Sequence, residues 1–212
     1  MGHPSRPYRS ALREEQARAT RRRIVTAGRE LFVTEGYAPT TVDAIAARAG
    51  VSRKTVFTSV GGKAAVLKLA WDWALAGDDE PVPMAERPEV QAVFAATDPA
   101  TLITGWTRLM VDIAARLAAM YHVLTVAGDG DPDVAAVQAT SERNRMQGAR
   151  GFIDRLVAIG GLRPDLTPDQ ATDIAAVLMD PLTVRRLVLD GSWTIEGCAA
   201  LLDRMAAAAL AG

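Results

Sequence analysis

Apolar residues recur along this chain with a helical period nearly throughout. Val42, Ile45, Ala46 and Ala49 fall at i, i+3, i+4 and i+7, as do Cys198, Leu201, Leu202 and Met205, which places each set on one face of a 3.6-residue helix. Ile24, Ala27 and Leu31 predict a helix from Ala11 to about Glu35, with Ser10 available as its cap. A longer stripe through Leu102, Trp106, Ile113, Leu117 and Leu124 predicts a helix from Pro99 to about Ala127, on which Asp112 and Arg116 are spaced to pair at the surface. The segment 132–159 has a polar first half and an apolar second half carrying Met146, Phe152, Ile153 and Leu156. Starts are marked where a capping residue precedes proline, at Asp98-Pro99, Asp131-Pro132 and Thr167-Pro168, because proline fits the first helical position. Gly36-Tyr37, Gly128-Asp129-Gly130, Gly160-Gly161 and Asp190-Gly191 mark breaks, and Pro181 is expected to stop or kink a helix near Met179. The pattern predicts an all-α fold of about nine helices.

The stretch Thr40 to Lys63 carries the densest signals. Thr40 is expected to cap a short helix, with Asp43 completing a capping-box pattern. Gly50 ends that helix, and Ser52 caps a second one beginning at Arg53. Two short helices joined by a glycine-containing turn form a helix-turn-helix. Val56 and Val60 give the second helix one side to pack. Its other residues, Arg53, Lys54, Thr55, Thr58 and Ser59, are cations and hydroxyls, the donors that reach phosphates and base edges.

These residues resemble the tetracycline-repressor (TetR) family of bacterial transcription regulators. The resemblance covers about residues 15 to 63 and rests on Ile24, Ala27, Leu31-Phe32, Gly36-Tyr37, Thr40-Thr41-Val42, Ile45-Ala46, Ala49-Gly50-Val51-Ser52, Thr55, Phe57 and Lys63. Phe57 stands where the family usually has tyrosine, which removes one phosphate-contacting hydroxyl; Val60 replaces the usual phenylalanine, and Ala64 the usual glutamate. The DNA-contacting set expected from motif and resemblance is Arg22, Thr40, Thr41, Ser52, Arg53, Lys54, Thr55, Phe57, Thr58, Ser59 and Lys63.

Charge sharpens the division. Net charge is −1 over 212 residues, but residues 1–63 hold 12 Lys/Arg against 5 Asp/Glu, a net of +7, and the remainder holds 12 against 20, a net of −8. A basic end on an acidic body is the footprint of a nucleic-acid-binding domain attached to something else. The expected organisation is a flexible arm at 1–10, a DNA-binding domain at 11–62, and an effector-binding and dimerisation domain at 63–212. No apolar run of about 18 residues predicts a membrane span, and the N-terminus lacks the apolar core of a secretory signal. The single Cys198 excludes an internal disulfide framework. A cytoplasmic setting follows as the expectation.

The body has no Cys/His cluster at metal spacing and no glycine-rich phosphate loop, so neither catalysis nor a cofactor is expected. One helix-turn-helix reads little sequence, so a homodimer is expected on operator half-sites roughly 34–36 Å apart or a multiple of it. The resemblance puts its interface on the last helices, with Leu178, Leu182, Leu201, Leu202 and Met205 as candidates. It also implies an effector pocket, for which Trp71, Phe94, Trp106, Met110, Tyr121, His122 and Met146 are candidates; aromatic and methionine side chains suit an apolar or aromatic small molecule. The stretch after Lys63 is apolar on two sides, through Val66, Leu69, Ala70 and Trp73 and through Leu67, Trp71 and Ala74, and is expected to be sandwiched between bodies. The leading expectation is a repressor released from DNA by that effector. One alternative is an effector-independent DNA-binding regulator with a filled core. Another is an enzyme or carrier that kept the fold and lost DNA.

Overall fold

The computed structural model describes residues 6–212, with side chains from Leu12 onward. Ten α-helices and one 3-10 turn make up the described residues: α1 (Arg6–Glu35), α2 (Val42–Ala49), α3 (Arg53–Ser59), α4 (Lys63–Ala76), the turn Met84–Glu86, α5 (Pro88–Phe94), α6 (Pro99–Gly128), α7 (Pro132–Ala158), α8 (Pro168–Leu178), α9 (Pro181–Val188) and α10 (Ile195–Leu210). The all-α expectation holds. The extra helix arises at Pro181, which ends α8 and restarts the chain as α9, with the Asp180 carboxylate accepting from the Leu182 N–H at 2.8 Å. Helix α1 begins at Arg6, so Ser10 lies inside it and does not cap it. Residues 1–5 of the expected arm lie outside the described residues.

Side-chain caps set most of the other boundaries. Thr167 and Gln170 form a reciprocal capping box on α8, and Thr194 caps α10 through the Gly197 N–H. Asp98 accepts from the Thr101 N–H at 2.9 Å to start α6. Each cap satisfies a backbone donor that the first helical turn leaves without a partner.

The chain divides into two compact units. The first runs to Trp73 and includes Val123–Ala135; the second holds Ala74–His122 and Ala136–Gly212. The division departs from the boundary expected after residue 62, because most of α4 packs with the helix-turn-helix. In the first unit Ile24, Phe32, Ile45, Val56, Val66 and Leu67 are buried. On α4, Ala70, Trp71 and Ala74 are buried as well, while Leu69 and Trp73 are half-buried.

The second unit is built on Leu102, Ile103, Trp106, Phe152, Leu156 and Leu202, joined by small residues of α8 and by Cys198. Trp106 and Phe152 stack with ring centroids 4.1 Å apart and planes 10° from parallel. Helix α6 is long and apolar enough to cross a membrane by length and composition, and its Leu102, Ile103, Trp106 and Val111 lie in this core. Arg116 does not follow the pairing with Asp112 that its spacing suggests. Its guanidinium instead donates to the Ala74 and Leu75 carbonyls, at 3.0 and 2.8 Å, closing the C-terminus of α4. Arg87 is buried and forms a fork with the Asp78 carboxylate at 2.7 and 2.9 Å, which folds the 77–87 loop back on itself.

Helices α1 and α4 meet where Gly28 leaves no room for a side chain: a Cβ there would stand 2.4 Å from Val66 Cγ1. Val66 is itself buried, so it has little freedom to yield. Gly28→Ala is expected to destabilise the first unit by about 1–3 kcal/mol, the usual cost of overpacking. Thermal melting checks it, and an unchanged midpoint would show that the two helices can separate at no cost.

Candidate nucleic-acid interface

Helix α3 has only seven residues, too few to be stable alone, so its neighbours must hold it. Val56 is its buried anchor. Ser52 caps the start, its hydroxyl accepting from the Thr55 N–H at 3.1 Å. At the far end Arg21 of α1 donates from Nε to the Ser59 carbonyl at 3.3 Å. Gly50 turns the chain between α2 and α3 with φ 66°, and its N–H bonds back to the end of α2. This is the helix-turn-helix geometry, and it leaves Arg53, Lys54, Phe57 and Thr58 exposed on one short helix.

The cap of α2 differs from the expected one. Thr41, not Thr40, accepts the Ala44 N–H, at 3.1 Å. Thr40 is 1 % exposed and its hydroxyl donates to the Gly36 carbonyl at 2.7 Å. It closes the α1–α2 turn and is removed from the DNA-contacting set. Thr41 is exposed at the start of α2, and Arg22 is exposed on α1. The hydroxyls of Ser52, Thr55 and Thr58 are already engaged: Thr55 and Ser52 lie 2.8 Å apart, and Thr58 donates to the Lys54 and Thr55 carbonyls. They retain acceptor capacity and few free protons. Arg53 donates to Asp43 of α2 at 2.6 Å and lies 5.5 Å from the centre of the Phe57 ring.

Lys63, expected on a phosphate, is largely committed within the protein. Its ammonium donates to the Tyr37 carbonyl at 3.0 Å and the Ala38 carbonyl at 3.5 Å, 4.0 Å from the centre of the Tyr37 ring. An ammonium has three donors, so one N–H remains. The Tyr37 hydroxyl in turn donates to Asp131 Oδ2 at 2.7 Å, while Asp131 Oδ1 accepts from the N–H groups of Asp133 and Val134 at the start of α7. Burial and the bond to Asp131 raise the Tyr37 pKa. The bond from Tyr37 lowers the Asp131 pKa, with a smaller contribution from Lys63. Asp131 is legible in the sequence as a cap; its second bond, to a residue 94 positions earlier, is not.

The other candidate sets are rearranged. Trp71 belongs to the first unit and the remaining six effector candidates to the second. Trp106 is buried in its stack with Phe152, and His122 is exposed, so it lines no interior. Phe94, Met110 and Met146 are half-buried against the core of the second unit. Phe94 also borders a shallow groove of about 450 Å³ with Ala85, Val90, Gln91 and Ala95. Half-buried Tyr121 lies near Arg145 and Asp180. Of the interface candidates Leu202 is 1 % exposed and belongs to the core; Leu178 and Leu201 are half-buried, and Leu182 and Met205 are exposed. Val177, Leu189, Trp193 and Ile195 are also large apolar residues exposed on or beside α8 to α10.

A family model for bacterial regulatory proteins of the tetR family matches residues 24–70, the segment from the second half of α1 through α2 and α3 into α4. Residues 24–70 thus carry the N-terminal, DNA-binding module of the TetR family. Two curated relatives from Pseudomonas putida, the HTH-type transcriptional regulators TtgW and SrpR, align over 53 residues at 43 % identity, 25 % of this chain. The match spans only 40 % and 25 % of those proteins' lengths. Over 93 % of the chain the fold is that of NalD, the secondary repressor of the MexAB-OprM multidrug efflux pump in Pseudomonas aeruginosa, with a TM-score of 0.66, 19 % identity and 98 % of that structure covered. The DNA-binding module is thus matched in sequence, and the second unit in fold alone.

The Tyr37–Asp131 bond can be tested through pH. Asp131 holds its proton less tightly folded than unfolded, so its contribution is present above its ordinary value of 3.8 and is lost as pH falls through the lowered value. Tyr37 contributes below 10.0, and that contribution is lost as pH rises toward its raised value. Tyr37→Phe is expected to cost about 1 kcal/mol near neutral pH and to flatten both limbs of the stability profile. Denaturant titrations across pH measure it; parallel profiles for the two proteins would mean the bond contributes nothing.

Proposed function

We propose that this chain is a cytoplasmic, dimeric transcriptional repressor that reads operator DNA with α3 and releases it when an apolar or aromatic small molecule binds the second unit. The observation that carries the reading is the exposed cationic face of α3, fixed at both ends by Ser52 and Arg21. The net +7 of residues 1–63 supplies the sequence-independent attraction to phosphates. Arg22, Thr41, Lys54 and the remaining N–H of Lys63 serve the backbone, and Arg53 the base edges. Dimerisation is supported by the exposed apolar side chains Val177, Leu182 and Met205 on α8, α9 and α10, which a partner would remove from water. The repressor role and the effector are supported by the likeness to NalD, a repressor of a multidrug efflux pump, and by the groove beside Phe94. The effector-independent alternative draws on one observation, the Trp106–Phe152 stack filling the centre of the second unit.

The test is binding of the purified protein to DNA from upstream of its own gene, against random competitor, over a range of salt. Binding to that DNA is expected to be about a thousandfold or more tighter than to random duplex, with two protomers or a multiple per site by sedimentation. Met205→Glu combined with Leu182→Glu is expected to give monomers that lose the tight binding. Equal affinity for every sequence would overturn the regulator reading. A tight complex that no panel of apolar or aromatic compounds dissociates would favour the effector-independent alternative.

A further inference from the structure

Asp43 lies on the first turn of α2 and Arg53 is the first residue of α3, ten positions later. Their side chains meet at 2.6 Å through Arg53 Nη1 and Asp43 Oδ2. The same guanidinium lies 5.5 Å from the centre of the exposed Phe57 ring, one turn further along α3. Two contacts from different directions therefore fix an otherwise mobile arginine. Among the described residues no other group takes up its Nε and Nη2 hydrogens. An exposed ion pair of this kind contributes little to stability, and a carboxylate beside DNA opposes binding to phosphates. Its presence on a DNA-facing turn needs another explanation.

We propose that Asp43 is a specificity-determining positioning residue, which holds Arg53 over Phe57 so that its free edge reads guanine. The inference rests on the reading of α3 as the recognition helix. N-terminal residues of such helices reach base edges, and an arginine edge pairs with O6 and N7 of guanine. Ordering Arg53 beforehand reduces the entropy lost when it binds a base. The partial neutralisation by Asp43 also discourages Arg53 from settling on a phosphate. Phe57 suits this role as tyrosine would not: it offers a ring face to the cation and no hydroxyl to divert it to the backbone.

The experiment is selection of preferred duplexes from a random library by the full-length protein and by Asp43→Ala, Asp43→Asn, Arg53→Ala and Arg53→Lys. The wild type is expected to select guanine at one position in each half-site. Arg53→Ala should abolish that preference, and both Asp43 variants should reduce it by roughly tenfold at that position alone. The Asp43 variants should also bind random duplex more tightly and with a steeper salt slope, since one opposing charge is gone. A structural role alone would weaken all positions together and lower the melting temperature, and that result would overturn the inference. Retention of the guanine preference in both Asp43 variants would overturn it as well, with the regulator reading intact. A wild type that selects no sequence would overturn both.

Discussion

A short recognition helix cannot support itself. Helices α2 and α3 have eight and seven residues, and between them bury only Ile45, Ala46, Ala49 and Val56. Burial of that size, on the order of 25 cal/mol per Å² of apolar surface, does not offset the ordering of the chain. The first unit meets the constraint by borrowing. It takes the first part of α4 through the Gly28–Val66 contact and the α6–α7 turn through Asp131. One carboxylate serves two elements there, capping α7 with Oδ1 and holding the Tyr37 hydroxyl with Oδ2. Lys63 completes the arrangement by donating to the backbone of the same turn that carries Tyr37. The helix that presents Arg53 thus depends on groups drawn from three distant parts of the chain.

That dependence explains which parts of the molecule were legible in the sequence. Local rules found the local features: the cap at Ser52, the turn at Gly50, the boxes and prolines at Asp98, Thr167 and Pro181. Their information lies within three or four residues. The shift from Thr40 to Thr41 at the start of α2 is the instructive miss. Both threonines are good caps, and nothing nearby decides between them. The decision is made when the Thr40 hydroxyl finds the Gly36 carbonyl, which leaves Thr41 at the helix start.

Pairings between elements were illegible for the same reason. Arg116 sits at i+4 from Asp112, and that spacing suggests a surface pair; the α4 carbonyls offer a partner that a one-dimensional pattern cannot contain. Leu202 shares a helical stripe with Met205, yet one is in the core and the other exposed. A stripe two residues wide on α10 faces both inward and outward, and periodicity alone does not say where the core ends. Residue type was equally blind to burial: Trp106 and His122 were both chosen as pocket residues by type, and packing put one in a stack and the other in water.

The Asp43–Arg53 pair brings the two themes together. Ten residues separate the partners, too far for a helical neighbour rule and across a turn whose geometry only the fold supplies. Asp43 had a sufficient local explanation, a carboxylate in the first turn of a helix, where it favours the positive end of the dipole. The fold gives that carboxylate a partner in Arg53 while leaving it in the first turn of α2. A capping-turn acid that also grips the opening arginine of the next helix links the start of α2 to the reading surface of α3. The pair matters energetically in a complex and not in the free protein. In water the pair contributes little; against a base edge, the ordering it imposes on Arg53 reduces the cost of each correct contact. Specificity, a difference between two affinities, is where so small a term has its largest effect.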